Sequence, residues 1–447
     1  MNILVNLIGI ITNNKSNLWK LSINRYSSSF YKIVNNPMLD YVLCFFIFPL
    51  FWILIIPTTL RVKSNKKRKR VKIIFQVSNK LIYSRFFSRL ITGLDKKDYL
   101  VMGDDLDLPN IKNDFQILQT IYLSIVFILI WPIVFIFSII HKVNFFRPII
   151  RTLFIYYRNL NYFNLYPCNN FITYQDNSCS TALYLAFNKS GGKKVIAFQN
   201  GIRNTYQGVD NSYFDHLFAT NQASVDLYKN NGSIVSKYDI IGSLVIYCNP
   251  ELLEEKPQKL DLLFIDQGFP DKNLKNFISL DTFNIDDLNR YVNDIKKLSK
   301  KFTKLKIGYQ LRPYPKNLSS IVESTYSFFN NTNVEVFEKI NDLDSYFKMQ
   351  ESKIIVTIDS TMGLEALSLG KVALFTNHSF QEKFQILPGS KLQLNCNNYK
   401  KFEEGILCAV NGFLDSEVER NTYYAPLVSS LVGNNIIISR LKKYILK

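Results

Sequence analysis

From Asn170 to Thr376 the chain alternates short apolar runs, each closed by polar residues, with longer stretches of helical spacing. This alternation is the feature that most constrains the fold. The runs Phe171–Asp176, Lys194–Gly201, His216–Asn221 and Tyr238–Ser243 read as strands. Helical stretches at Ser178–Ser190 and near Ala223–Asn230 separate them, the first stopped by Gly191-Gly192. After an acidic, proline-bearing linker (Asn249–Lys259) the pattern restarts with LDLLFIDQG, a helix over Ile285–Phe302, KLKIGYQLRP, VEVFE, KIIVTID, another helix and KVALFT. Strands and helices joined by short loops give a parallel sheet covered on both faces. The expectation is therefore α/β, with two doubly wound Rossmann-like domains. Ligands of such sheets lie beyond the carboxyl ends of the strands, so polar residues there take priority.

Upstream of this region stand two uncharged runs, Tyr41–Leu60 with 20 residues and Phe115–Ile140 with 26. Each is long enough to cross a hydrocarbon core of about 30 Å. Between them, Arg61–Asn113 holds 14 Lys and Arg against 5 Asp and Glu, half of the net +18 of the whole chain. Moving that stretch across a membrane opposes the positive-inside tendency. It also reads as folded protein, with strands at Val71–Val77 and Asp98–Asp104. Interior prolines (Pro49, Pro57 and Pro132) kink both runs. A monotopic or re-entrant pair on the cytoplasmic face removes the conflict and sets Arg61–Arg70 against anionic headgroups. The expected organisation is residues 1–60 with a membrane segment at 41–60, a domain over 61–250 with a hydrophobic insertion at 115–140, and a domain over 260–447.

Six cysteines stand far apart and only three histidines occur, which excludes a disulfide scaffold and a zinc module. No Walker or GxGxxG motif is present, and no metal and no cofactor are expected. The positive surplus points to an anionic partner. Beside a hydrophobic anchor, that partner is a membrane surface rather than nucleic acid. His216 and His378 read as structural.

The most specific stretch is Lys353–Phe375, in which a strand ends at Asp359 and a helix follows. Ser360 or Thr361 can cap that helix, Gly363 allows a close backbone approach, and Glu365 lies one turn further on. A helix N-terminus with hydroxyl donors is an anion site, and Glu365 suits ribose hydroxyls. In YQLRPYPK (Tyr309–Lys316), Arg312 and Lys316 flank two prolines that stiffen the loop, ready for a diphosphate or simply solvated.

The run D-S-T-x-G-x-E-A-x-x-x-G-K-x-x-x-F (Asp359–Phe375) resembles the nucleotide-binding half of two-Rossmann, GT-B type glycosyltransferases of surface and capsular polysaccharide synthesis, and the related sugar-nucleotide 2-epimerases. The order of the strands from Phe171 onward extends that resemblance to about half the chain. It implies a metal-independent transferase whose C-terminal domain holds a nucleotide sugar, as substrate and not as cofactor, through Arg312, Ser360, Thr361, Gly363 and Glu365. Its N-terminal domain would address a glycan or lipid-linked acceptor through Asp176, Gln199, Asn200, Gly201 and Arg203. Where relatives commonly carry Gln-His-Gly, this chain has Gln199-Asn200-Gly201, and an asparagine cannot serve as a general base. Asp176 is then the candidate base, or else a helix-capping residue. A sugar-nucleotide 2-epimerase, a glycerophosphate or ribitol-phosphate transferase of wall polymers, and a non-catalytic scaffold of a glycan-assembly complex remain as alternatives.

Overall fold

The computed structural model describes residues 70–77, 87–102, 132–136, 140, 146–174, 181–201, 212–268, 285–312, 319–339, 343–379, 385–420, 423–426 and 431–446. The run 41–60 and most of 115–140 lie outside these residues. Among the described residues no helix is long and apolar enough to cross a membrane.

Six strands form the first sheet: β1 (Val71–Gln76), β2 (Tyr99–Met102), β3 (Cys168–Thr173), β4 (Lys194–Phe198), β5 (His216–Ala219) and β6 (Tyr238–Ile240). Its order is β2-β1-β3-β4-β5-β6, and every pair is parallel. The strand expected at Val71–Val77 is thus central to this sheet, with Ile74 opposite Phe171. Six more strands form the second sheet: β7 (Leu260–Ile265), β8 (Ile307–Gln310), β9 (Val334–Phe337), β10 (Ser352–Thr357), β11 (Val372–Asn377) and β12 (Gln393–Asn395). Its order is β9-β8-β7-β10-β11-β12, again all parallel. The strands read as continuous apolar runs because helices cover both faces. Ile73, Ile74, Phe75, Leu262, Leu263, Phe264, Ile354, Ile355 and Val356 are all sealed from solvent.

The helices in chain order are α1 (Ser88–Ile91), α2 (Phe146–Leu165), α3 (Thr181–Lys189), α4 (Gln222–Asn230), α5 (Leu244–Cys248), α6 (Ile285–Lys301), α7 (Ser319–Phe329), α8 (Asp344–Gln350), α9 (Thr361–Ser368), α10 (Tyr399–Val410) and α11 (Leu431–Leu446). In both sheets the strand order reverses beside the first strand, between β1 and β3 and between β7 and β10. A crevice opens at the carboxyl edge at such a reversal.

The passage from one sheet to the other runs through α5 and a single 3₁₀ turn at Pro250–Leu253. One apolar core continues across it, from Phe75, Tyr174 and Phe198 through Leu244, Val245, Tyr247 and Leu252 to the second sheet. The last helix does not stay with the strands that precede it. α11 returns to the first sheet, where the Asn170 side-chain amide donates to the carbonyl of Ile445 (2.9 Å) and Lys442 Nζ to that of Thr92 (2.6 Å). The ring of Tyr444 meets those of His216 and Phe218 edge-on.

Candidate functional site at the facing strand ends

At the reversal of the second sheet, β7 runs out into Asp266, Gln267 and Gly268. Asp266 is buried and acts as a knot. One carboxylate oxygen accepts from the Tyr309 hydroxyl (2.9 Å) and the Gly268 amide (2.9 Å), the other from the Arg312 amide (3.3 Å). Gly268 sits at φ 122°, a region open to glycine and strained for other residues. These bonds hold the start of the Arg312 loop against the end of β7. The Arg312 side chain is exposed and donates to the Gln267 carbonyl (3.3 Å). The Gln267 amide in turn donates to Thr357 Oγ1 (3.0 Å), which also accepts from the Ser360 amide (3.1 Å). A continuous rim of hydrogen bonds therefore links Arg312 to Ser360. β8 and β10 both neighbour β7, so their ends lie about two strand spacings, or ~10 Å, apart.

Ser360 is the N-cap of α9, in extended conformation, and its hydroxyl accepts from the Met362 amide (3.3 Å). Asp359, Ser360 and Thr361 are half-buried. Two residues of the motif are buried. Gly363 is buried against the sheet, where an added Cβ would stand 2.7 Å from Phe375 Cζ and 2.8 Å from Thr357 Cγ2. The close approach it permits is that of α9 to β10 and β11. Glu365 is only 2% exposed, and both its oxygens are engaged. Ser243 Oγ, from the end of the first sheet, donates to Oε1 (2.5 Å), and Tyr346 on α8 donates to Oε2 (2.7 Å).

On the first sheet, Gln199 follows β4 and is buried. Its amide nitrogen donates to the Gly201 carbonyl and to Ser224 Oγ (both 2.7 Å), and its oxygen accepts from the Thr220 amide (2.9 Å). Every polar atom of this side chain thus serves the turn. It ties the ends of β4 and β5 to the first turn of α4. Gly201 is buried and Asn200 half-buried beside it. Asp176 and Arg203 lie outside the described residues, as does Lys316. The N-terminus of α4 is occupied from the other half of the chain. Asn221 caps it by accepting from the Ser224 amide (2.9 Å), and its own side-chain amide donates to the Tyr424 carbonyl. The hydroxyl of Tyr423 donates to Asp226 (2.7 Å).

His216 and His378 are both sealed among aromatic rings, and burial pushes both down to about 4. His216 Nε2 stands 2.9 Å from an Asp239 oxygen without hydrogen-bond geometry, and desolvation outweighs that neighbour. Both rings are neutral at pH 7. Among the described residues no group of His, Cys, Asp and Glu side chains is placed to hold a metal.

Ser243, Tyr346 and Asp266 are the site residues that the sequence does not single out. Asp266 and Ser243 do end apolar runs, which is a usable signal. Tyr346 lies inside a helix and carries none, because only the tertiary packing of α8 against α9 brings it to Glu365.

No family model matches the sequence, and no curated protein matches it. Solved structures do. An S. aureus MnaA–UDP co-structure is similar over 84% of this chain and 97% of its own, at 13% identity and a TM-score of 0.53. A Methanocaldococcus jannaschii UDP-GlcNAc 2-epimerase in complex with UDP-GlcNAc and UDP is similar over 84% of this chain and 100% of its own, at 12% identity and a TM-score of 0.50. A glycosyltransferase from Rickettsia africae is similar over 84% of this chain and 99% of its own, at 12% identity and a TM-score of 0.42. At such identities the likeness shows the fold: two Rossmann-like sheets facing one another.

Proposed function

We propose that the chain is a glycosyltransferase moving a sugar from a nucleotide donor to a surface-polysaccharide or lipid-linked acceptor at the cytoplasmic face of the cell membrane. The observation that carries this is the rim at the second sheet's reversal, where Arg312 and the Ser360-capped end of α9 stand on the two strands flanking β7. The helix end supplies about half a positive charge and the guanidinium a full one. Together they would bind a diphosphate and stabilise the charge that develops on it as the glycosidic bond breaks, with no step that calls for a metal. Ser360 and Thr361 add hydroxyl donors, and Glu365 would accept from ribose hydroxyls. Asn200 can orient an acceptor hydroxyl and cannot take its proton. Asp176, three residues after the last residue of β3 in the sequence, is the proposed base.

Membrane attachment is supported by the uncharged runs 41–60 and 115–140 and the basic block between them. A water-soluble donor and a lipid-bound acceptor would then meet at one surface. A 2-epimerase is the second reading, favoured by the fold likeness to the M. jannaschii enzyme.

The test is to incubate the full-length protein, with and without membranes, with a panel of sugar nucleotides. Nucleoside diphosphate released together with a glycosylated lipid or glycan is the expected result. Donor converted to its 2-epimer with no acceptor present selects the second reading. With transfer established, Asp176→Asn should abolish it at unchanged donor affinity, and full activity would remove Asp176 from the mechanism.

A further inference from the structure

Ser243 occupies the N-cap of α5, the place where a serine hydroxyl ordinarily accepts an amide of its own helix. It makes no such bond. The hydroxyl points across to the second half of the molecule and donates to Glu365 Oε1 (2.5 Å), while Tyr346 holds Oε2 (2.7 Å). Ser243 is 3% exposed and Glu365 2%, so the pair is closed to solvent. A buried carboxylate needs donors, and Ser243 supplies one from a different sheet.

We propose that Ser243 is a positioning residue, occupying the place on Glu365 that a ribose hydroxyl takes when a nucleotide binds. The proposal rests on the reading of Glu365 as the ribose acceptor. With both atoms buried, a ribose hydroxyl reaches Oε1 by replacing the serine rather than by adding beside it. The exchange is like for like: one hydroxyl–carboxylate hydrogen bond breaks, another forms, and no proton changes owner. Tyr346 keeps Oε2 throughout and preserves the carboxylate's orientation. The released Ser243 hydroxyl turns to the unfilled cap of α5. Donor binding at the second sheet is in this way coupled to the segment that joins the two sheets, and the nucleotide competes with a group of the protein's own.

Calorimetry with UDP, GDP and CDP on the full-length protein tests this. Removing the competitor in Ser243→Ala should tighten the nucleotide that wild type binds by about tenfold, and Ser243→Thr, which restores a hydroxyl, should return wild-type affinity. The 2′,3′-dideoxy form of that nucleotide has nothing to exchange and should bind wild type and Ser243→Ala equally. Unchanged or weaker nucleotide binding by Ser243→Ala overturns the proposal. Should that variant not fold, wild type suffices. Hydrogen exchange of the amides in Leu244–Cys248 should slow with the ribonucleotide and not with the dideoxy form, and equal behaviour with both overturns it. Wild type that binds none of the three overturns the nucleotide reading itself, and the exchange falls with it. Binding by wild type with no gain in Ser243→Ala overturns the exchange alone.

Discussion

The turns after β4 and β10 each follow the fourth strand across a six-stranded parallel sheet, yet they are built to opposite ends. After β4, the Gln199 amide spends its nitrogen and oxygen on Gly201, Ser224 and Thr220. The turn is a closed knot. After β10, Ser360 caps α9 while Asp359 and Thr361 stay half-buried, with the exposed Arg312 guanidinium on the same rim. One edge is tied to its scaffold and the other presents donors and positive charge. A parallel sheet in each half therefore does not imply equal use of the two edges, and the exposed positive charge stands on the second.

The sharpest way to break this contrast is Gly363→Val. The added side chain collides with Phe375 and Thr357, so α9 cannot keep its seat. A loss of about 3 kcal/mol is expected, read as a lower urea midpoint, and an unchanged midpoint would mean that the helix is not held as described. Arg312→Ala tests the loaded edge. Turnover should fall about a hundredfold, with donor affinity changing less because the contribution grows towards the transition state. Equal losses in both would make Arg312 a plain binding residue. Gln199→Leu tests the closed knot. It strands the Thr220 amide and the Gly201 carbonyl, which should cost about 1–3 kcal/mol of stability and leave nucleotide affinity untouched. A selective loss of acceptor use at full stability would give Gln199 back its place at the acceptor.

The smallest effect comes from the two buried histidines, one in each half. A histidine in the unfolded chain titrates near 6.5 and these near 4, so the stability they contribute is complete above pH 6.5 and is lost as pH falls towards 4. Unfolding midpoints should decline gently over that window. Burial raises Asp294, which stands beside His378 and pulls the other way. His216→Phe, which retains the packing against Phe218 and Tyr444, should flatten the slope more clearly than a change at His378.

Much of this architecture is legible before folding. Runs such as Leu260–Ile265 and Lys353–Asp359 are apolar without alternation, and only a strand covered on both faces reads that way. Their polar ends mark the carboxyl edge, so Ser360 and Arg312 could be named from the residues alone. Boundaries were less readable. The strand expected at Phe171–Asp176 runs over Cys168–Thr173, because pairing with β1 from Val71 onward sets its register and the apolar run does not.

What the sequence by itself determined is the class of fold, two parallel sheets in series, and which polar residues stand at the second sheet's edge. These follow from periodicity and composition, which are local. Only the tertiary structure decided that Glu365 belongs to Ser243 and Tyr346, that Gln199 serves a turn, that Gly363 makes room for Phe375 and that α11 crosses back to the first sheet. The partners of Glu365 and α11 lie far along the chain or on the other sheet, and so do those of Gln199 apart from Gly201, while Gly363 meets a residue of the strand that follows its helix. No pattern along the chain encodes such a distance. It is set when the core spanning both sheets closes and every buried polar atom has to find a donor or acceptor within reach.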